Sequence, residues 1–571
     1  AIITFSYTFE NEITKVEISK KDATTSEELP GAHLEVRDEE GNTVDEWISG
    51  EEPHIIEGLE VGKEYTLIET IHPLGFDFAN EIKFVVGDTG EIQKVEMLDE
   101  LKTGQVTVNK TGNLFNEVTE GESDFGTTHT PVFNEAGLEG VEFTIYAAED
   151  ITLGNGVTYF DKDEAIMTIT TDADGKAVSD SLLVGKYYLK ETTVPDGFVR
   201  NDTSYFFEIK DEDLQGVNVD LDVFNDRATV TLDLTKVMET NHYDYEEAYK
   251  DVIFGIFARE DILMADGSVG IAKDSLVYTS GIDENGHLAT AIELPLGDYY
   301  IKELKTNEAY ELNETEYDFT IAYMGPLISA YTIQINRGLS IENDLIKTAV
   351  KVLKVDSETG EAILNENFEF TVYTDEACTD ALMTVKADTE TGTVTFNDLT
   401  FGTYYVKETK APTGYQLSDE VKTIVIDENL EGVGDVYTFE YANTLIHTDI
   451  RVNKVDSQTN KTILHKDFEF TLYSDKACEE ALMTASANTE EGSAVFEDLT
   501  YGTYYVKETK APEGYQLSEE VKTIVINDDL EGVGDVHEFE YLNTLLPVEE
   551  GVQTGDNTNI ALWAGLGIVS A

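Results

Sequence analysis

Three residue types recur in the same order in five segments of the chain: a lysine, then a glutamate, then an asparagine or aspartate. The lysine and the final residue each end a run of alternating apolar residues. The five sets are Lys20, Glu69 and Asp99; Lys110, Glu191 and Asn225; Lys236, Glu303 and Asn343; Lys354, Glu408 and Asn443; and Lys454, Glu508 and Asn543. Because alternate residues of a strand share a face, all three side chains of each set are predicted to point into an apolar core.

This combination of groups supports one reaction, an intramolecular condensation. A lysine amine in an apolar core is pushed towards its neutral, nucleophilic form, and a buried glutamate is pushed towards its protonated form, which polarises a carboxamide. Attack on asparagine releases ammonia and attack on Asp99 releases water, and both leave an amide cross-link. Folding supplies a high effective molarity that lowers the barrier by roughly 7–11 kcal/mol, so no external enzyme is needed. The alternative interpretation is a set of buried, unreacted ion pairs.

The glutamates lie inside a repeated motif that must be a strand followed by a turn. Its copies are YTLIETIHPLGF from Tyr65, YYLKETTVPDGF from Tyr187, YYIKELKTNEAY from Tyr299, YYVKETKAPTGY from Tyr404 and YYVKETKAPEGY from Tyr504. The third copy has Leu304 in place of Thr and lacks the Pro and Gly. Five copies predict five repeated all-β units.

These motifs resemble the Cna B-type, or SpaA-type prealbumin-like, domains of Gram-positive surface proteins and pilins. The resemblance implies tandem Ig-like or prealbumin-like β-sandwiches arranged as an elongated rod, in which a lysine on the first strand bonds to an Asn or Asp on the last, assisted by the glutamate. The predicted segments are 1–12, the last strand of a truncated upstream domain; 13–101, 102–227, 228–346, 347–446 and 447–546, five Cna B-type domains; and 547–571, a spacer and truncated sorting signal.

Composition excludes several classes of function. The formal net charge of -77 argues against nucleic acid or an anionic membrane as a partner. The nine histidines form no metal-ligand spacing and no Gly-rich phosphate loop is present. We therefore predict no cofactor, no metal and no enzyme activity beyond single-turnover isopeptide formation. Cys378 and Cys478 are predicted to be small buried side chains rather than a disulfide pair.

Four further segments carry weaker signals. Residues 112–137 are polar and Gly-containing, which predicts a long surface loop. The runs that begin at Asp172 and Asp283 are similar to calcium loops but lack the full ligand spacing, so hairpin turns are predicted there. At the start of the chain, the alternation up to Asn11 predicts the closing strand of an upstream domain.

The C-terminal residues resemble a Gram-positive sorting signal. Val552-Gln553-Thr554-Gly555 precedes the apolar run 560–571, although it departs from the common LPxTG pattern. The resemblance implies that a sortase cleaves between Thr554 and Gly555 and joins the threonine to cell-wall peptidoglycan or to a pilus subunit.

The predicted function is an extracellular stalk, attached to the Gram-positive cell wall, that presents an upstream adhesive or functional region. A second possible function is a sortase-polymerised pilin subunit, although the YPK-type lysine motif of such pilins is absent from this sequence. Two more functions are compatible with such a stalk: an adhesin that binds a host protein or glycan, and the stalk of a surface enzyme whose catalytic module lies upstream.

Overall fold

The computed structural model describes residues 2–6, 12–212, 218–241 and 248–547. In these residues the chain forms five β-sandwiches, numbered 1 to 5 below, and two short 3-10 helices, Ala248–Asp251 and Ile335–Gly338. Sandwiches 1 to 3 lie in one compact unit, Ala1–Asp344, and sandwiches 4 and 5 in a second, Leu345–Ala571. The prediction of an all-β chain of tandem sandwiches is confirmed.

Sandwich 1 shows the arrangement that the others repeat. Its strands are β1 (Lys15–Asp22), β2 (His33–Arg37), β3 (Thr43–Ile48), β4 (His54–Glu57), β5 (Glu64–Ile71), β6 (Ile82–Val85) and β7 (Gln93–Asp99). One sheet has the order β4-β1-β7 and the other β3-β2-β5-β6. The alternating apolar residues of both sheets form one core, for example Ile18 of β1 against Leu34 of β2 and Leu67 of β5. Burial of these side chains is the main favourable term for each sandwich.

The first and last strands of sandwich 1 are parallel neighbours. Lys20 pairs with Met97, and Asp22 with Asp99. Residues two apart in a strand share a face, so Lys20 and Asp99 both point into the core, one strand apart.

Sandwich 2 has the same two sheets with longer strands. Its strands are β8 (Thr103–Ser123), β9 (Gly126–Gly137), β10 (Glu142–Ala147), β11 (Ile151–Thr152), β12 (Thr158–Phe160), β13 (Ala165–Thr170), β14 (Lys176–Val178), β15 (Leu182–Leu183), β16 (Gly185–Thr193), β17 (Tyr205–Ile209) and β18 (Asn218–Asn225). One sheet has the order β13-β10-β16-β17, and β8 pairs with β14, β15 and β18 in the other.

Two apolar residues of sandwich 1 pack into the hydrophobic core of sandwich 2. Leu29 and Phe76 of sandwich 1 belong to the buried cluster of sandwich 2. Gly154 lies so close to sandwich 1 that a Cβ there would be 2.7 Å from the backbone nitrogen of Leu74. The Lys102 ammonium donates to the carbonyl of Asp211 at the same junction.

Sandwich 3 is the most divergent in sequence and keeps the same core strands. Its strands are β19 (Thr229–Met238), β20 (Ile253–Ala258), β21 (Ile262–Leu263), β22 (Val269–Ile271), β23 (Leu276–Gly281), β24 (His287–Ile292), β25 (Gly297–Lys305), β26 (Tyr317–Ile321), β27 (Ala330–Gln334) and β28 (Ile341–Asn343). The order β24-β19-β27, with β28 also on β19, forms one sheet, and β23-β20-β25-β26 forms the other.

The prediction of a long surface loop at 112–137 is wrong. These residues form the outer part of the β8–β9 hairpin, called the arm below, whose strands pair from Thr111–Gly137 out to Ser123–Gly126. The arm extends the sheet of sandwich 3, because Thr128 of β9 pairs with Leu276 of β23. The arm has little core to face, so it is rich in polar and β-branched residues such as Thr127 and Thr128. Its sequence therefore lacks the alternation of apolar and polar residues that indicates a strand.

We expect the arm to stabilise sandwich 3, and Phe115→Ala tests this. The Phe115 carbonyl accepts a hydrogen bond from Ala265 N, and its ring fills the space where a Cβ on Gly270 would lie 2.6 Å away. Truncating this buried ring should cost about 3–5 kcal/mol. Hydrogen exchange of β22 and β23 should accelerate in Phe115→Ala, whereas Phe206→Ala, which removes a ring that is 69% exposed, should leave it unchanged. Equal exchange in both variants would show that the arm does not support sandwich 3.

Sandwiches 4 and 5 are near copies of each other. Sandwich 4 contains β29 (Thr348–Asp356), β30 (Glu369–Tyr373), β31 (Ala381–Lys386), β32 (Thr393–Leu399), β33 (Gly402–Lys410), β34 (Val421–Ile426) and β35 (Val436–Asn443); sandwich 5 contains β36 (Thr448–Asp456), β37 (Glu469–Tyr473), β38 (Ala481–Ser486), β39 (Ser493–Leu499), β40 (Gly502–Lys510), β41 (Val521–Ile526) and β42 (Val536–Asn543). The sheets of sandwich 4 have the orders β32-β29-β35 and β31-β30-β33-β34. Those of sandwich 5 have the orders β39-β36-β42 and β38-β37-β40-β41.

Two smaller predictions need correction. Cys378 and Cys478 are half-buried in surface turns with positive φ, so the prediction of small buried side chains is wrong. Asp172 and Asp283 do begin tight turns, with their carboxylates accepting backbone N–H groups. These turns connect strands of different sheets rather than the two strands of a hairpin, because β14 pairs with β8, and β24 with β19.

Candidate functional site: the core trios

All side chains of the five predicted sets are buried, and none exposes more than 7% of its surface. In every sandwich the lysine lies on the first strand and the glutamate on an inner strand of the facing sheet, β5, β16, β25, β33 or β40. The final Asn or Asp lies on the last strand, which is parallel to the first and offset by two residues from the lysine. This shared register brings each set together as one trio.

Sandwich 5 shows the geometry in full. Lys454 Nζ lies 2.6 Å from Glu508 Oε1 and donates to Asn543 Oδ1. Asn543 Nδ2 donates to both oxygens of Glu508, each at 2.9 Å, and to the carbonyl of Gln516 at 3.0 Å. The amine therefore lies beside the carboxamide that it would attack, and the glutamate contacts both nitrogens.

Sandwich 4 repeats these contacts. Lys354 Nζ is 2.8 Å from Glu408 Oε1 and donates to Asn443 Oδ1. Asn443 Nδ2 donates to the two Glu408 oxygens at 3.0 and 2.8 Å, and to the Gln416 carbonyl at 2.8 Å.

The degraded motif of sandwich 3 still positions its glutamate. Lys236 Nζ donates to Asn343 Oδ1 at 2.5 Å and lies 3.2 Å from Glu303 Oε1. Asn343 Nδ2 donates to Glu303 Oε2 and to the Thr306 hydroxyl, each at 2.8 Å. Thr306 takes the place of the backbone carbonyl used in sandwiches 4 and 5.

Sandwich 2 has the loosest trio. Asn225 Nδ2 donates to both Glu191 oxygens, at 2.8 and 2.9 Å, but Lys110 Nζ is 3.6 Å from Glu191 Oε1. Among the described residues, Lys110 Nζ and Asn225 Oδ1 have no hydrogen-bond partner. The reacting groups share one buried site without the direct contact seen in the other sandwiches.

Sandwich 1 carries an acid in place of the amide. Lys20 Nζ contacts Asp99 Oδ1 and lies 3.0 Å from Glu69 Oε1. Two carboxyl groups therefore share one ammonium in a buried site. Burial raises the pKa of Asp99 to about 7, and the Glu69 carboxylate adds to that effect.

Burial also favours the neutral amine. It lowers the pKa of Lys110, Lys354 and Lys454 to about 8, against the opposing effect of the neighbouring glutamate, and it lowers the pKa of Lys236 as well. Burial raises the pKa of Glu191. These directions increase the fraction of nucleophilic amine at neutral pH.

Two kinds of supporting group were missed in the sequence. Aromatic rings face the amine in sandwiches 4 and 5: the Tyr441 ring centroid lies 4.3 Å from Lys354 Nζ, and that of Tyr541 4.5 Å from Lys454 Nζ. Each tyrosine is the cross-strand partner of its lysine, so the register could have identified it. The backbone acceptors Gln416 and Gln516 carry no side-chain signal.

The fold and the trios define a class of protein, a chain of tandem β-sandwiches with a buried Lys–Glu–Asn/Asp site in each core. The chain belongs to the family described as "SpaA: Prealbumin-like fold domain", whose model matches residues 14–101, 130–222, 235–334, 348–436 and 448–536. No curated protein matches the chain.

The solved structures to which the chain is similar include several pilins. The chain is similar to the Bacillus anthracis TIE protein at 20% identity and a TM-score of 0.43, over 76% of this chain and 73% of that one. It is similar to BcpA, the major pilin subunit of Bacillus cereus, at 16% identity and a TM-score of 0.27, over 60% and 100%. SpaD, a major pilin of Corynebacterium diphtheriae, matches at 16% identity and a TM-score of 0.17, over 60% and 97%.

In the part of the chain that the structure describes, no group of three or more His, Cys, Asp or Glu residues could hold a metal ion. No helix within residues 2–6, 12–212, 218–241 and 248–547 is long and apolar enough to cross a membrane. The predicted sortase site at Thr554 and Gly555, and the predicted upstream strand around Asn11, lie outside the described residues.

A cleft of about 860 Å³ lies between sandwiches 2 and 3. Both arginines that line it already have partners within the chain. Arg227 stacks on the Phe133 ring at 3.9 Å and donates to the Leu294 carbonyl at 3.0 Å, and Arg200 Nε pairs with Asp202 at 2.9 Å. The cleft therefore gives no specific support to a ligand-binding function.

The acid of sandwich 1 allows a matched chemical test. Asp99→Asn should form the same Lys20 cross-link, because loss of water from Asp and loss of ammonia from Asn leave an identical amide. A digest should therefore give cross-linked peptides of equal mass for both chains. Since the pKa of Asp99 is raised to about 7 and condensation needs the protonated acid, reaction of wild-type sandwich 1 should slow above that pH, and Asp99→Asn should lack this decline. Separate linear peptides in both digests would show that this trio does not react.

Proposed function

We propose that this chain is an extracellular stalk of a Gram-positive bacterium, attached to the cell wall, in which every sandwich is closed by an autocatalytic amide bond. The observation that supports the proposal most strongly is the trio itself. In each of five cores a lysine of the first strand and an Asn or Asp of the last strand meet beside a buried glutamate.

The proposed reaction needs only groups present in the core. In sandwich 5, Lys454 Nζ forms a bond to Asn543 Cγ, and the bond from Cγ to Nδ2 breaks. One proton of the ammonium remains on the new amide, and two pass through the Glu508 carboxylate to the departing nitrogen, which leaves as ammonium. Glu508 ends in its original form, and the bond is made once per chain.

The position of the bond suits a mechanical role. Lys454 and Asn543 are 89 residues apart, near the two ends of sandwich 5. Tension that enters on the first strand would pass through the cross-link and leave on the last strand, so the strands between them would carry no load. The same holds for Lys20 and Asp99, which are 79 residues apart.

The bonds also offset the charge of the chain. A net charge of -77 makes a folded chain repel itself. Closing a loop of this length should stabilise each sandwich by roughly 4–5 kcal/mol, if the bond acts on the unfolded chain as a disulfide does. A domain of this size has a total stability of about 5–15 kcal/mol.

Attachment to the wall is proposed from the sequence. The order of elements after residue 546, with Thr554-Gly555 before an apolar run, is similar to a sorting signal, so a sortase and cell-wall peptidoglycan are the proposed partners. Membership of the SpaA family equally favours a pilin subunit, in which a sortase would join copies of this chain. Incubation with sortase separates the two: a stalk gives single attached chains, whereas a pilin gives a ladder of covalent polymers.

Pulling single molecules tests the mechanical proposal. An unlinked sandwich 5 would release the 89 residues between Lys454 and Asn543, about 300 Å of contour at 3.3–3.6 Å per residue. We expect the wild-type chain to show no extension steps of this size. Glu508→Ala should restore one such step, and Glu513→Ala, which changes a surface glutamate, should not. Five large steps in the wild type would contradict the proposal.

A further inference from the structure

All five trios share a hydrogen bond from a backbone N–H group, which the types of the residues alone do not reveal. In each, the backbone N–H of the residue ten positions after the glutamate donates to Oε2 of that glutamate. The donors and their N to Oε2 distances are Ala79 at 2.8 Å, Asn201 at 2.6 Å, Asn313 at 3.0 Å, Ser418 at 3.0 Å and Ser518 at 2.7 Å.

The second oxygen of each glutamate faces the lysine. Oε1 is the atom within 2.6–3.6 Å of Nζ in all five sandwiches. In sandwiches 2, 4 and 5, Oε1 also accepts a hydrogen bond from Nδ2 of the asparagine, at 2.8, 3.0 and 2.9 Å. Nδ2 also donates to Oε2 in sandwiches 2, 4 and 5, and in sandwich 3 it donates to Oε2 alone. The difference that all five sandwiches share is that Oε1 faces the attacking nitrogen, whereas Oε2 accepts the backbone N–H.

We propose that this backbone N–H is a positioning group for the condensation: by holding Oε2, it directs Oε1 to the lysine, so that Oε1 is the atom that takes up the protons of the attacking nitrogen. The inference rests on the proposed function. An oxygen that accepts an N–H hydrogen bond acts as the carbonyl end of a carboxylic acid, so a transferred proton resides on the other oxygen. In sandwiches 2, 4 and 5 that oxygen also contacts the leaving nitrogen, so no rotation of the carboxyl group is needed there between the two transfers.

The five donors have little in common as side chains. They are Ala, Asn or Ser, and only their backbone group is shared. The loop after the Tyr-rich motif thus has a constant length from the glutamate to the donor, while the residue at that position varies. This is the pattern expected when the structure requires an N–H at a fixed place.

Proline removes the N–H, so two pairs of variants in the full chain test the proposal. Ser518→Pro is compared with Ser518→Ala in sandwich 5, and Ala79→Pro with Ala79→Ser in sandwich 1. The occupancy of each cross-link is followed by intact mass and by digestion. We expect both controls to be fully linked after expression, and the proline variants to form their bonds at least about ten-fold more slowly.

A pH profile separates this role from a structural one. Burial lowers the pKa of Lys454 to about 8, so slow linking of Ser518→Pro should accelerate from pH 6 to pH 9 as the amine loses its proton. A domain that has lost its fold would stay unlinked at every pH.

Each outcome decides the proposal. Slow, pH-dependent linking in every proline variant that keeps its fold, with its control fully linked, supports it. Complete linking of either proline variant after expression overturns it. Loss of protease resistance in both mutated sandwiches also overturns it, because the backbone N–H would then be needed for folding and not for the reaction. If the wild-type chain shows no cross-link at all, the proposed function itself is wrong.

Discussion

Replacing Glu508 by alanine is expected to leave the Lys454–Asn543 bond unformed. The mass deficit of the chain, relative to the mass calculated from its sequence, should fall by about 17 Da, one ammonia. Glu508 contacts both reacting nitrogens, and no other carboxylate lies within contact distance of Lys454 among the described residues. Sandwich 5 should lose roughly 4–5 kcal/mol from the missing cross-link, and its melting temperature should fall by about 20 °C or more.

Glu513→Ala is the matched control for this variant. The Glu513 side chain is 93% exposed and lies just after the same motif, so its removal should change neither the mass deficit nor the melting temperature. If Glu508→Ala keeps the full mass deficit of the wild-type chain, Glu508 has no role in the proposed reaction.

Lys354→Ala should have a still larger effect, because it removes the cross-link and also the nitrogen that contacts Glu408 in the core of sandwich 4. Glu408 is 1% exposed and would keep a buried carboxyl group without this partner. A buried polar group left without its partner costs about 1–3 kcal/mol, in addition to roughly 4–5 kcal/mol for the absent cross-link. The sum is comparable with the whole stability of a domain, about 5–15 kcal/mol, so sandwich 4 should be largely unfolded at 37 °C.

Limited proteolysis measures this effect within one chain. Cuts should appear between residues 348 and 443 in Lys354→Ala, while residues 448–543 stay protected and keep the Lys454–Asn543 bond. Lys351→Ala is the control, since Lys351 lies on the same strand with its side chain on the opposite, partly exposed face. Equal protection of the two variants would show that the trio contributes little to the stability of sandwich 4.

The sequence was sufficient to predict the fold class and to bring each trio together. Strand parity assigned Lys354, Glu408 and Asn443 to the core, because a period of two leaves only two faces for each strand. The repeat supplied the number of domains, and it located Glu303 even where the motif is degraded. These features follow from local patterns that each sandwich repeats.

Features that depend on contacts between domains could not be read in the same way. The arm contains polar residues such as Thr128, because its strands pair at an edge rather than covering a core. Leu29 and Phe76 lie within the sequence of sandwich 1, but they pack in the core of sandwich 2. The backbone donor at Ser518 has no sequence signature, since every residue except proline carries an N–H.

The intact mass of the wild-type chain tests the central claim most directly. Four Lys–Asn bonds and one Lys–Asp bond would remove four molecules of ammonia and one of water, a deficit of about 86 Da from the mass calculated from the sequence. Digestion should then yield five branched peptides that pair each lysine with its Asn or Asp. A chain of full calculated mass, with ten separate linear peptides at these positions, would contradict the claim.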